Sequence, residues 1–295
     1  MKKFLAEIFA APFSLFGKVA RTRMRGIFRY GPLRATWLYF QVRRNNTKPK
    51  YYLSICAIVK NEGAYFNEWL NWHKKHGVEK FYIYDNESDD GTKKILEPFI
   101  KSGIVEYTYF PGERMQIAAY DDCLARHRFD SRWIAFIDLD EFIVPIENKN
   151  IPEFLKPLEN FSSVEINWLV YGSGGAKYKT DGDVMARFRA HSHPNDPINN
   201  HIKSIVNPRK ITSFIGAHEA VALTGKTVDA NGRKVRVRFF DRAPIGHDKI
   251  RINHYAVKSY EEFLAKRGRG WAWGAKSWAK DYFEKLDRNE IREDL

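Results

Sequence analysis

The sequence predicts an α/β fold, a Rossmann-like sheet flanked by helices and preceded by a basic amphipathic extension. Three observations carry that expectation. Four apolar runs between residues 51 and 140 alternate with segments of helical spacing, as in a parallel sheet built by crossovers. The first, second and fourth of those runs end in acid-bearing segments. Nearly all of the net charge lies ahead of the first run.

The first run, "YYLSICAIV" (residues 51–59), reads as a strand. "AYFNEWLNWHKKHG" (64–77) places Tyr65, Trp69, Leu70 and His73 on one helical face and stops at Gly77. "VEKFYIYD" (78–85) is the second strand, followed by a loop and helix in "NESDDGTKKILEPFIKSG" (86–103). "IVEYTYF" (104–110) is the third strand, "QIAAYDDCLARHRF" (116–129) the third helix and "RWIAFIDLD" (132–140) the fourth strand.

The 295 residues are 44% apolar and 29% charged, a globular composition rather than a disordered one. Cys56 and Cys123 lack metal or redox spacing and read as reduced, buried thiols of a cytoplasmic protein. No run approaches about 18 uncharged apolar residues, so no spanning helix is expected, and no small-residue cleavage site follows a clean apolar core.

The charge is unevenly placed. Residues 1–50 hold twelve Lys and Arg against Glu7 alone, +11 of the net +13, so the chain from Tyr51 onward carries only +2. Leu5, Ile8, Phe9, Phe13 and Phe16 recur at helical spacing, with Pro12 breaking the helix. Apolar rings beside Arg and Lys fit a helix lying on an anionic membrane surface. Nucleic acid is not expected as a partner, because the basicity does not continue onto the folded part. "NNTKPK" (45–50) reads as a linker, dividing a tail over 1–50 from a domain over 51–295.

Ligands of open parallel sheets bind beyond the carboxyl ends of the strands. There the acids gather: "VKNE" (59–62), "YDNESDDG" (84–91) and "DLDEF" (138–142). Asp138 and Asp140, at i and i+2 of a strand, are expected to point together into one cleft edge. Unpaired buried carboxylates are costly, and two on one side make a hard oxygen site for Mg²⁺ or Mn²⁺ carrying phosphates. The alternative is that these acids pair with Arg132 or nearby lysines.

These blocks, together with "INHYAVKSYEEFLAKRGRG" (252–270), resemble glycosyltransferases of the family 92 type and their bacterial relatives near family 2. The resemblance implies a GT-A fold, with a nucleotide-sugar-binding half over 51–145 and an acceptor half over 146–295. It implies a UDP-sugar donor, a divalent Mn²⁺ or Mg²⁺ ion, and transfer of a hexose with inversion to a glycan. The basic tail, in place of the transmembrane anchor of eukaryotic family 92 members, is expected to hold the enzyme near a lipid-linked acceptor at the cytoplasmic face of a membrane. By position, Asp85 meets the uracil or ribose with Asn61 and Glu62 near by. Asp138 contacts ribose or metal, Asp140 is the principal metal ligand, and His254 returns to the metal or diphosphate. Glu141 is expected to hydrogen-bond the loop. One or two of Lys258, Lys266, Arg267 and Arg269 stand as candidates to stabilise the departing diphosphate, with Lys203 as a further one. The acceptor half between Phe161 and Asp248 holds no "ED" pair, and the "QxxRW" block frequent in family 2 is absent.

Ser259 and Glu262 are spaced as a capping box, so a helix is expected to start there. In the acceptor half, "EINWLVYGSGG" (165–175) offers Trp168 as a platform for a sugar ring. The general base an inverting transfer needs is open among Glu219, His218, Glu165, Asp248 and Glu141. A phosphoryl-transfer enzyme is the weaker reading of DxD, since phosphatases of the haloacid type carry the pair on the first strand with Thr two residues later, where this chain has Phe142. A non-catalytic glycan- or membrane-binding module with the same fold is the remaining one.

Overall fold

The computed structural model describes residues 18–235, 245–268 and 280–293. The expected helix around Leu5, Phe9 and Phe16, and Arg269, lie outside the described residues. The chain opens with two helices, α1 (Lys18–Tyr30) and α2 (Pro32–Arg44), and then follows the expected order. It runs β1 (Tyr51–Val59), α3 (Phe66–Lys75), β2 (Lys80–Asp85), α4 (Thr92–Lys101), β3 (Val105–Tyr109), α5 (Gln116–His127) and β4 (Ser131–Phe136). Beyond these come β5 (Glu141–Pro145), α6 (Ile151–Leu155), β6 (Ser163–Val170), α7 (Val184–Arg187), β7 (Ala190–His191) and β8 (Ile202–Val206). The remaining elements are β9 (Ile211–Ile215), β10 (Glu219–Ala222), β11 (Thr227–Asp229), β12 (Ile250–His254), α8 (Tyr260–Gly268), α9 (Lys280–Leu286) and β13 (Ile291–Arg292).

The main sheet runs β3-β2-β1-β4-β8-β6-β12-β5, with β11 beside β6. Strands β1 to β4 are mutually parallel, as the alternating pattern predicts. Strand β8 then pairs antiparallel with both β4 and β6, so the second half extends the same sheet as a mixed one. Strand order reverses between β1 and β4, and the crevice at such a reversal is where open sheets bind ligands.

The core is aromatic. Trp69, Trp133, Phe66, Phe81 and Phe136 are fully buried on and under the sheet. Helix α3 buries Phe66, Trp69, Leu70 and His73, the predicted stripe moved by one residue at its start. His73 uses both ring nitrogens: Nδ1 donates to the Trp69 carbonyl at 2.8 Å and Nε2 accepts from Ile143 N–H at 3.2 Å. Burial pushes its pKa down to about 3, which keeps it neutral and fixes that tautomer. Helix α3 is thereby tied to β5. Cys56 and Cys123 are buried free thiols.

Helices α1 and α2 belong to the folded body rather than to a detached tail. Helix α1 packs on the β9–β10 hairpin. Gly26 lies so close to Val221 that a Cβ there would come within 2.5 Å of its side chain, which explains the glycine. Arg23 donates to the Leu223 carbonyl at 2.6 Å, and Arg209 holds the linker by donating to the Thr47 carbonyl at 2.6 Å.

Candidate active site

Strand β4 ends at Phe136, so Asp138 and Asp140 stand in the turn between β4 and β5 and not on a strand. The i, i+2 argument for a shared direction therefore does not apply, and the two acids have separate partners. Asp138 accepts from Lys203 Nζ at 2.7 Å and from Gln116 Nε2 at 2.9 Å. Asp140 accepts from Lys266 Nζ and lies 3.7 Å from His254 Nε2. The cations that hold these acids are thus lysines, the alternative weighed against metal; Arg132 instead pairs with Glu159.

Glu141 explains the turn. Its Oε2 accepts from Asp138 N–H at 2.9 Å and lies 3.5 Å from Lys203 Nζ, while the side chain is wholly buried. It is a structural residue, as the resemblance implied, and is withdrawn as a base candidate because it has no route to a substrate hydroxyl. Burial pushes its carboxyl well above the usual range. Burial works the same way on Asp140, but the Lys266 ammonium, helped by the hydrogen-bonding contact with His254, outweighs it and holds Asp140 ionised, well below the ordinary value. Burial lowers the His254 pKa, leaving a neutral imidazole.

Beside this turn is a cleft of about 510 Å³ lined by Lys60, Asn61, Tyr65, Asp89, Lys258 and Lys266, among others. Its walls are the segment after β1, the loop after β2 and the start and face of α8, all at the carboxyl edge of the parallel strands. Lys266 joins the cleft to the turn, since it lines one and contacts Asp140 in the other. Asn61 and Lys258 both line the cleft and both have positive φ, 53° and 54°. A lysine rarely adopts that conformation, and such strain concentrates at functional sites. The Lys258 ammonium sits over the Tyr65 ring, 4.4 Å from its centroid.

Helix α8 is fixed as the capping box predicts. Ser259 Oγ donates to Glu262 Oε2 at 2.7 Å, and Glu262 N–H donates back to Ser259 Oγ at 3.2 Å. Arg187 grips the same carboxylate with two donors, at 2.9 and 3.0 Å, and Tyr65 OH donates to it at 2.9 Å. Burial pushes Glu262 up, but these hydrogen bonds prevail and bring its pKa to about 2. A carboxyl depressed from about 4.3 in the unfolded chain contributes stability that is full above that value and disappears as pH falls toward 2. Urea titrations between pH 5 and 2.5 are expected to show wild type losing stability faster than Glu262→Gln; parallel slopes would refute the assignment.

Not every expected residue joins the site. Asp85 is buried at the end of β2, with Oδ1 accepting from Ser88 N–H at 2.9 Å and Oδ2 from Tyr107 OH at 2.6 Å, so it builds the loop. Asn61 does the same through Oδ1, which accepts from Asp89 N–H at 2.8 Å, and it also lines the cleft. Glu62 is buried ahead of α3. Lys203, expected at the donor, is 1% exposed and serves the acidic turn. Trp168 is no open platform: His201 stacks on it at 4.7 Å and His254 lies at 4.0 Å.

Among the base candidates, His218 is neutral, its pKa pushed to about 3 by burial and then by Lys203, and its Nδ1 donates to the Ile202 carbonyl. Glu165 on β6 and Glu219 on β10 are 4% and 9% exposed, and Asp248 is exposed. None of the four lines the cleft. Sequence reasoning did not place Tyr65, Lys60, Asp89 or Arg187 here. Tyr65 and Arg187 carried no local signal, whereas a lysine within the apolar run "HIKSIV" (201–206) did announce a buried acidic partner for Lys203.

Among the described residues no three His, Cys, Asp or Glu side chains converge on a metal position. The expected trio of Asp138, Asp140 and His254 is therefore not a preassembled cage, and Asp140 with His254 is the pair the fold brings together.

Residues 50–295 match the family model described as Glycosyltransferase family 92. The chain is 31% identical over 106 residues to Glycosyltransferase family 92 protein Os08g0121900 of Oryza sativa subsp. japonica, covering 35% of this chain and 18% of that one. It is 28% identical over 187 residues to Galactan beta-1,4-galactosyltransferase GALS2 of Arabidopsis thaliana, covering 57% and 35%. To Beta-1,4-galactosyltransferase galt-1 of Caenorhabditis elegans it is 31% identical over 113 residues, covering 32% and 26%. The aligned part spans about a fifth to a third of these relatives' lengths. Among solved structures, S. aureus TarS 1-349 in complex with UDP shares 16% identity at a TM-score of 0.36, over 53% of this chain and 47% of that one.

Proposed function

This chain belongs to glycosyltransferase family 92, and from that premise we propose that it moves a hexose from a UDP-linked donor to a cell-surface glycan or lipid-linked acceptor, with inversion. Galactose is the sugar favoured by the relatives named as β-1,4-galactosyltransferases. The observation that carries the proposal is the cleft beyond the carboxyl ends of β1 and β2, whose lining sets three lysines beside Asp89 and Glu262. Lys60, Lys258 and Lys266 surround a volume of about 510 Å³, and Lys266 touches the buried, ionised Asp140.

The residues present fit a divalent ion completed by substrate. Asp140 offers a carboxylate oxygen, and neutral His254 offers Nε2, the ring nitrogen 3.7 Å from Asp140 Oδ1. Mn²⁺ accepts both donor types, and such ions are commonly held by one or two protein ligands plus phosphates. When bound, the ion supplies positive charge against the diphosphate. This chain's own residues do the rest of the donor work. Lys258 and Lys266 offset charge that grows on the leaving diphosphate, and the Glu141–Lys203 pair holds the Asp138–Asp140 turn rigid. The basic N-terminal stretch sets the enzyme against anionic lipid at the cytoplasmic face of a membrane, near a lipid-linked acceptor.

A panel of UDP-, GDP- and dTDP-sugars, with and without Mn²⁺, is expected to show a metal-dependent rise in melting temperature for a UDP-hexose and slow hydrolysis of it. Absence of both with every donor would overturn the proposal. Binding without turnover on any acceptor tried would favour the non-catalytic reading.

A further inference from the structure

Helix α2 has two apolar faces, and the fold uses only one. Ala35 and Leu38 are buried against the body at 4% and 2% exposure. Leu33, Trp37 and Phe40 stand out in solvent at 88%, 63% and 53%. Their spacing of i, i+4 and i+7 aligns them in one stripe. Arg44, one turn beyond Phe40, continues it, and Arg34 and Arg43 flank it; all three are exposed. Arg29 at the end of α1 and Lys48 and Lys50 in the linker are exposed as well. No Asp or Glu occurs between Glu7 and Glu62.

We propose that the Leu33–Trp37–Phe40 face of α2 is the surface by which this protein sits on an anionic lipid bilayer, the three side chains entering the headgroup boundary and the arginines meeting lipid phosphates. The inference rests on the membrane reading above and locates it on a rigid, docked helix instead of on residues 1–17. Charge selects the occupant. A second copy of this chain would bring the same cations face to face. Residues 1–17 carry Lys2 and Lys3 against Glu7 alone and so are also net positive. Anionic lipid is the complementary partner, and Trp with Leu and Phe beside Arg is the composition that suits the water–lipid interface. Because α1 is fastened to the β9–β10 hairpin and α2 packs on α1, the same contact would fix the orientation of the cleft relative to the membrane.

The test is sedimentation of the full chain with vesicles of phosphatidylcholine alone or with about 30% phosphatidylglycerol. Wild type is expected to bind only the anionic vesicles and to be released by 0.5 M salt. The variant Leu33→Ser/Trp37→Ser/Phe40→Ser, which alters exposed positions only, is expected to lose at least tenfold in partitioning. Arg34→Gln/Arg43→Gln/Arg44→Gln is expected to lose about 10²-fold, from the usual contribution of a basic residue near such a surface. Both variants should keep the wild-type melting temperature and its response to UDP-sugar. Wild-type binding that survives in the first variant would overturn the proposal and leave residues 1–17 as the anchor. Failure of wild type to bind would overturn the membrane reading too, leaving the donor site intact. A dimer abolished by the same substitutions, or poly(U) binding in place of lipid binding, would replace the bilayer with another occupant.

Discussion

Asp140→Asn is expected to lower kcat by about 10³-fold, the scale seen when a preorganised charge is removed from a polar transition state, while the melting temperature moves little. The substitution keeps shape and one acceptor oxygen, so Lys266 retains a neutral partner. What it removes is the one carboxylate that the fold keeps strongly ionised beside both His254 and the cleft lysine Lys266. The neighbouring change His254→Ala should act mainly on the ion, weakening apparent Mn²⁺ affinity by about 10- to 100-fold, the range found when the residues around a metal are altered. Initial rates over a Mn²⁺ series separate the two. An Asp140→Asn enzyme within threefold of wild type at saturating metal would remove this residue from the chemistry and the proposal with it.

Lys203→Met should be the most destabilising of the conservative-volume substitutions around the site. Lys203 is 1% exposed and faces Asp138 at 2.7 Å and the wholly buried Glu141 at 3.5 Å. Burial alone would drive a lysine toward neutrality, yet the two carboxylates raise its pKa above the ordinary value, so it stays charged. Removing one partner from such a group leaves an uncompensated buried charge and costs about 3–5 kcal/mol, a fall in melting temperature on the order of 10 °C for a chain of this size. Denaturant unfolding measures it directly. Adding Glu141→Gln to Lys203→Met should restore part of the loss by deleting the stranded carboxylate. A single variant within about 1 kcal/mol of wild type would mean that water, rather than Lys203, balances these acids.

Lys203 also shows why part of the site was hidden in the sequence. The acidic blocks, the capping box and the histidine of "INHY" are local patterns, and the fold gathers those segments at the carboxyl edge of the sheet. Whether an acid in a loop faces a ligand or holds the loop together depends on partners far along the chain. Asp138 finds Lys203 across 65 positions and Asp140 finds Lys266 across 126. Asp85 turned out to organise the loop after β2 by the same logic, and the Trp168 ring is taken by His254 of β12 and by His201, the residue before β8. The strand reading of "DLD" failed because β4 ends at Phe136 and Asp138 and Asp140 fall in the turn that follows, where the buried Glu141 accepts from Asp138 N–H.

The sequence by itself determined the alternation of β1 to β4 with helices, the helix start at Ser259, the concentration of acids at the sheet's carboxyl edge, and the cationic character of the first 50 residues. Periodicity of side chains and local hydrogen bonding decide those features, and both act over a few residues. Only the tertiary structure decided that lysines neutralise the acidic turn, that α1 and α2 dock on the body, and that a second apolar face of α2 stays in solvent. Those outcomes depend on which strands become neighbours and on what each burial leaves uncovered, quantities set by the packing of the whole chain.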